Sequence, residues 1–390
     1  MRRRSVIGTL LVGLLAGTAE ADNAGIGNVN LAIAELHKGE TEPALALLTR
    51  VIETQSVPPN EIPDVYYDRG NVYLTQRDYD RAIADFTAAI GLRARYSDAF
   101  IMRGSARLKK GDTDGAAADF KAVVEFDPAN AAAHTNLGNI YRAKGENDQA
   151  LAEYDAAILH ETDAAAYEGR ALVDLASGKV DQAIADSNEA LRLKPDYLEA
   201  TVNRGNAYMA AGKYNLAIAD FDIAIAARPD DADFLIDRAN AHAKAGDRDL
   251  ALADYAAAAR QNANDPSLYR TMGDTELSKH NYTQAIADYT IALAGAPNDA
   301  ATLLNRGAAY ALQAQYALAI ADYDTALRLA PNDPRLYNNR GNALAAQGKL
   351  DQAIADYNAA LRIQPDNSDA LRNRAGAMEA KTTGRKIQGP

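Results

Sequence analysis

One sentence of sequence recurs down this chain at a fixed interval. YDRGNVYLTQRDYDRAIADF at 67–86 returns as VNRGNAYMAAGKYNLAIADF at 202–221, LNRGAAYALQAQYALAIADY at 304–323 and NNRGNALAAQGKLDQAIADY at 338–357. With the small residue of the RGN-like triplet as anchor, ten repeats fall at Ala32, Gly70, Gly104, Gly138, Ala171, Gly205, Ala239, Gly273, Gly307 and Gly341. From Gly70 onward the step is 34 residues, once 33. The first step is 38, because a proline-rich segment, 57–63, is inserted. A single compact core carries no such period, and 390 residues is large for one. A stack of small units, each burying its apolar face on its neighbours, has a period by construction.

Within a repeat the chemistry is equally regular. An alanine stands twelve residues after every anchor, from Ala44 and Ala82 through to Ala353. An aromatic stands sixteen after it, except at Leu48 and Ser187. Prolines close six repeats: Pro128, Pro195, Pro229, Pro297, Pro331 and Pro365. Apolar residues at helical spacing flank a glycine-containing turn such as Ala211-Gly212-Lys213, which predicts two helices per repeat. The abundance of alanine agrees. Anchor and alanine are expected to be small because two helix backbones meet there. The aromatic is expected to fill space against the next repeat, and proline to stop the second helix.

Composition excludes several functions. A net charge of -12 and a pI near 5.0 argue against a nucleic-acid partner, whose phosphates call for a basic stripe. The absence of cysteine rules out disulfides, thiolate zinc sites and thiol catalysis. The five histidines, His37, His134, His160, His242 and His280, lack metal-ligand spacing, and His134 falls at a packing position. No GxSxG, HExxH or phosphate loop is present. The aspartate of AIAD recurs in repeat after repeat, as architecture does. No enzyme activity, metal or cofactor is expected.

The first 21 residues stand apart. Arg2, Arg3 and Arg4 precede an uncharged apolar run, 6–16, and Ala19-Glu20-Ala21 fits a small-x-small cleavage site. This reads as a signal peptide, cut to leave Asp22, and predicts an exported chain, periplasmic or secreted. The run is shorter than the roughly 20 apolar residues a spanning helix needs, so no stable membrane anchor is expected after cleavage.

The 34-residue period, the small anchor, the invariant alanine, the aromatic and the closing proline resemble the tetratricopeptide repeat (TPR) family over about 28–366. The family's first-helix tryptophan is replaced by Tyr66, Phe100, His134, Tyr167, Tyr269 and Tyr337. The resemblance implies an all-α fold: a right-handed α-solenoid of about ten helix-turn-helix units, with a concave groove lined by the first helices and a C-terminal capping helix. The expected layout is a signal peptide at 1–21, a linker at 22–28, the solenoid at 29–366, the cap at 367–380 and a disordered tail at 381–390.

Two sets of polar residues recur. An arginine precedes most anchors and an aspartate follows fifteen later: Arg69 with Asp85, Arg204 with Asp220, Arg306 with Asp322, Arg340 with Asp356. In antiparallel helices these places face one another, so structural ion pairs within each repeat are expected. A ligand-binding arginine track is the disfavoured alternative, because the acid repeats with the arginine. Repeat one loses both charges together, at Leu31 and Leu47, whereas repeats four and eight keep only the acid, with Leu137 beside Glu153 and Met272 beside Asp288.

The second set marks the candidate groove. Two before the anchor stand Asp68, Asn136, Asn203, Asp237, Asn305 and Asn339; one after it stand Asn71, Asn139, Asn206, Asn240 and Asn342. A carboxamide both donates and accepts, and so matches any peptide backbone. The first column is similar to the asparagine ladder that holds extended peptide in the TPR part of a protein glycosyltransferase, which implies peptide contact here. The alternative, that these residues solvate the surface or cap local backbone, stays open. The family's carboxylate clamp wants a lysine three before the anchor, where this chain has Tyr67, Ile101, Thr135, Val202, Ile236 and Leu304. Those groups suit apolar side chains of an extended or helical segment.

The expected function is a non-enzymatic scaffold or adaptor that binds protein or peptide segments in its groove, in envelope assembly or secretion. Alternatives are a self-assembling structural protein and, third, the non-catalytic partner of an envelope enzyme such as a glycosyltransferase.

Overall fold

The computed structural model of the chain describes residues 20–261 and 265–385. Most of the expected signal peptide, 1–19, and the end of the expected tail, 386–390, lie outside the described residues. The described elements are all α-helices, in two compact bodies, 1–195 and 196–390. The first holds α1 (Glu20–Lys38), α2 (Thr41–Thr54), α3 (Ile62–Thr75), α4 (Tyr79–Leu92), α5 (Ser97–Lys110), α6 (Thr113–Phe126), α7 (Ala131–Ala143), α8 (Asn147–His160), α9 (Ala164–Ala176) and α10 (Val180–Leu193). The second holds α11 (Leu198–Ala210), α12 (Tyr214–Ala227), α13 (Ala232–Ala245), α14 (Arg248–Gln261), α15 (Pro266–Ser278), α16 (Tyr282–Gly295), α17 (Ala300–Leu312), α18 (Tyr316–Leu329), α19 (Pro334–Ala346), α20 (Leu350–Ile363) and α21 (Ser368–Thr383).

Each repeat starts and stops on local signals. In six repeats an Asp or Asn eight residues before the anchor caps the first helix; Asp299 Oδ1, for example, accepts from the Ala301 and Thr302 backbone amides. Seven after the anchor the chain turns through the left-handed region, at Gly212 with φ 70° and Gly246 with φ 98°. Six second helices end just before a proline, and Gln364 ahead of Pro365 is extended, with φ -131° and ψ 91°. Each first helix packs on the second helix of its own repeat, and each second helix on the first helix that follows it within the body. First helices also meet first helices, α3 with α5, α7 with α9, α15 with α17 and α17 with α19, and no pair of second helices packs as closely among the described residues. The first helices therefore form the inner side of each stack.

The ring at the aromatic position packs against the next repeat, as expected: a Cβ on Gly169, in the repeat that follows Tyr154, would stand 2.4 Å from the Tyr154 Cζ. The ring also lies on the anchor of its own repeat. A Cβ on Gly70, Gly138 or Gly205 would stand 2.6–2.8 Å from Phe86, Tyr154 or Phe221 respectively. The anchor is small to admit a ring edge. Two of the three repeats with an alanine anchor, Ala32 and Ala171, carry no ring, only Leu48 and Ser187.

Both ends differ from expectation. Residues 22–28, expected as a linker, are helical within α1, and α21 runs through Thr383 into the expected tail. α21 covers the last repeat with Ala370, Ala377 and Ala380, all buried, while Lys381 pairs with Asp351.

Candidate functional site

The arginine column is spent on architecture, more fully than an intra-repeat pair would be. In seven repeats the guanidinium Nη2 lies 2.6–2.8 Å from its aspartate Oδ1, including Arg69–Asp85, Arg204–Asp220, Arg306–Asp322 and Arg340–Asp356. The aspartate side chains are only 3–11% exposed. Bonds to these acids hold Arg69 and Arg306 above the ordinary arginine range. The same guanidinium then crosses to the preceding second helix: Arg69 Nη1 reaches Thr49, Arg170 reaches Asp155, Arg306 reaches Thr290 and Arg340 reaches Asp324, at 2.6–3.1 Å. Each of these four arginines therefore joins two repeats within its body. The planar fork makes this possible, since Nε and Nη2 grip one carboxylate while Nη1 serves another helix.

A second tie was not anticipated. Lys144 binds Asp114 at 2.8 Å and Lys279 binds Asp249 at 2.5 Å; Lys110–Asp80 repeats the pattern. Its trace in the sequence is a constant offset of 30 residues from acid to lysine.

The amide column one after the anchor is half committed. Buried tyrosine hydroxyls donate to Asn139 Oδ1 from Tyr154 (2.8 Å), to Asn240 Oδ1 from Tyr255 (2.6 Å) and to Asn342 Oδ1 from Tyr357 (2.8 Å). Burial lifts the Tyr255 hydroxyl to about 12, so it stays a donor. Asp274 plays the same part under Tyr289. Where the ring is phenylalanine this donor is missing: Asn71 beside Phe86 has a buried, unpartnered Oδ1. Asn206, in the Phe221 repeat, lies half-buried on α11. A carboxamide whose oxygen is held inward turns its NH2 the other way. Asn139, Asn240 and Asn342 thus present fixed donors.

The column two before the anchor is mixed. Asn305 Nδ2 bonds Asp274 of the preceding repeat at 2.8 Å, and Asn136 Nδ2 bonds its own Ala132 carbonyl at 2.8 Å. Asn203 is engaged as well, and Asn339 is half-buried on α19. Asp68 is raised to about 7 by burial, then by Asp64; Asp237 is raised to about 6 by burial, then by Asp233 and Asp231. Among the described residues no group of three or more His, Cys, Asp or Glu is arranged to hold a metal ion, and no helix is long and apolar enough to cross a membrane.

Sequence profiles described as tetratricopeptide repeat match 67–131, 101–167, 135–197, 168–232 and 202–266, which together run unbroken over just over half of the 390 residues. The chain belongs to the tetratricopeptide repeat family. Further TPR profiles match 312–348 and 334–367. Solved structures that are similar include that of Pseudomonas aeruginosa pilF, at 19% identity and TM-score 0.48 over 52% of this chain and 92% of that one. The APC/C hetero-tetramer Cut9-Hcn1 matches at 18% identity and TM-score 0.45, over 92% and 84%. MamA matches at 25% identity and TM-score 0.38, over 41% and 94%. No curated protein matches the chain. TPR proteins are generally scaffolds for protein–protein interaction, and the TPR stack of this chain supports that role.

Proposed function

We propose that this TPR protein is an adaptor that holds an extended segment of a partner protein along the first helices of each body. One observation carries the reading: buried tyrosine hydroxyls hold the Oδ1 of Asn139, Asn240 and Asn342, which leaves the NH2 of each as the group it can offer. A row of pre-oriented donors recognises backbone carbonyls whatever the side chains, and loses little entropy on binding. We place the work in the cell envelope, in assembly or secretion, on the leader-like 1–21 segment.

The sequence itself supplies the test. Asp274 shows that aspartate accepts the tyrosine hydroxyl as asparagine does. Asn139→Asp, Asn240→Asp and Asn342→Asp together keep that acceptor and remove the NH2 donor. In-cell crosslinking and affinity capture of the mature chain should recover specific envelope proteins, and the triple variant, with unchanged helicity, should lose them. The same capture by both chains sinks the proposal.

A second reading, self-association, draws on apolar side chains exposed on the second helices of the C-terminal body: Leu216, Ile223, Leu250, Ile291 and Leu318, each 46–55% exposed. Sedimentation that stays monomeric at every concentration would remove it.

A further inference from the structure

At the joint of α14 and α15 both ends of the arginine tie are missing. Met272 stands where Arg238, Arg306 and Arg340 stand, and Ala256 stands where Asp222, Thr290 and Asp324 accept. The acid that the arginine would cover is still present. Asp288 is 3% exposed; Oδ1 accepts from Gln284 Nε2 at 3.2 Å, and Oδ2 has no partner.

The neighbouring charges are committed elsewhere. On α15, Arg270 binds Asp299 (3.3 Å), Lys279 binds Asp249 (2.5 Å), Asp274 takes the Tyr289 hydroxyl and Glu276 takes Asn281. On α17, Arg306 binds Asp322; on α14, Asp254 takes Arg238, and Arg248 and Arg260 are exposed at its two ends. His280, in the α15–α16 turn, meets the Tyr282 hydroxyl. Repeat four, which also lacks its arginine, is closed differently: His134 Nδ1 meets Glu153 at 2.6 Å, and Leu137 and Ile140 join the core around Phe120.

We propose that the α15–α16 joint is a proton-controlled hinge of the C-terminal body, closed while Asp288 carries a proton and loosened when it ionises. A buried carboxylate without a cation is costly, and opening the joint restores its water. Burial first, then Glu276, raises the Asp288 carboxyl to about 6. The closed joint thus binds this proton more tightly than the open one. Its stabilisation is complete below the ordinary carboxylate range and is lost as pH rises through about 6.

Hydrogen exchange of the full mature chain, at about pH 5 and about pH 7.5 and corrected for intrinsic rates, tests the hinge. Protection of α15 and α16 relative to α18–α20 should fall about tenfold at the higher pH. Asp288→Asn should abolish that fall, and Met272→Arg, which supplies the missing cover for Asp288, should abolish it and raise protection. An equal fall in all helices, no fall, or the same fall in Asp288→Asn overturns the proposal. Should Met272→Arg not fold, the near-isosteric Asp288→Asn decides alone.

Discussion

A Cβ placed on Gly341 would stand 2.7 Å from Cε1 of Tyr357, the ring of its own repeat. Glycine and ring are therefore energetically coupled. Gly341→Ala gains helix propensity but pushes the ring, whereas in Gly341→Ala with Tyr357→Leu the clash is gone, as Ala32 with Leu48 shows. A double-mutant cycle on thermal unfolding should return a coupling of about 1–2 kcal/mol.

Arg306 covers Asp322 and reaches Thr290 of the preceding repeat. Arg306→Met leaves a buried, uncovered acid and should cost about 3–5 kcal/mol. Arg306→Leu with Asp322→Leu, the arrangement of Leu31 and Leu47, should recover most of that loss in chemical denaturation.

Three turns use side chains where the others use glycine: Arg77, His280 and Ala314, with φ of 59–63°. The left-handed region costs such residues about 1 kcal/mol. Ala314→Gly should raise stability by up to about that amount in thermal unfolding, since its turn needs no other change.

Asp68 is raised to about 7 in the folded chain. A raised carboxyl stabilises the fold fully below the ordinary carboxylate range, and this is lost as pH rises through about 7. The advantage of Asp68→Asn over the parent should be about 1–2 kcal/mol larger near pH 8 than near pH 5, a figure discounted for partial exposure. Urea unfolding at the two pH values reads the difference.

The sequence by itself determined the fold class, the ten repeats and the helix pairs. Period, caps, turn glycines and closing prolines are local or strictly periodic signals, and each acts through the backbone within a few residues. The Arg69–Asp85 and Arg340–Asp356 relationships were legible too, because antiparallel pairing fixes which positions face each other. What only the tertiary structure decided is how each side chain's bonding capacity is divided. Whether Asn240 offers its oxygen or its NH2 depends on a hydroxyl fifteen residues away. Whether Arg306 stops at Asp322 or also reaches Thr290 depends on the depth of the joint between repeats. The isolation of Asp288 follows from what Met272 fails to supply from the facing helix. A repeat pattern specifies positions, but hydrogen-bond partners and desolvation arise from the packing of several helices at once, and they appear only when those helices are placed together.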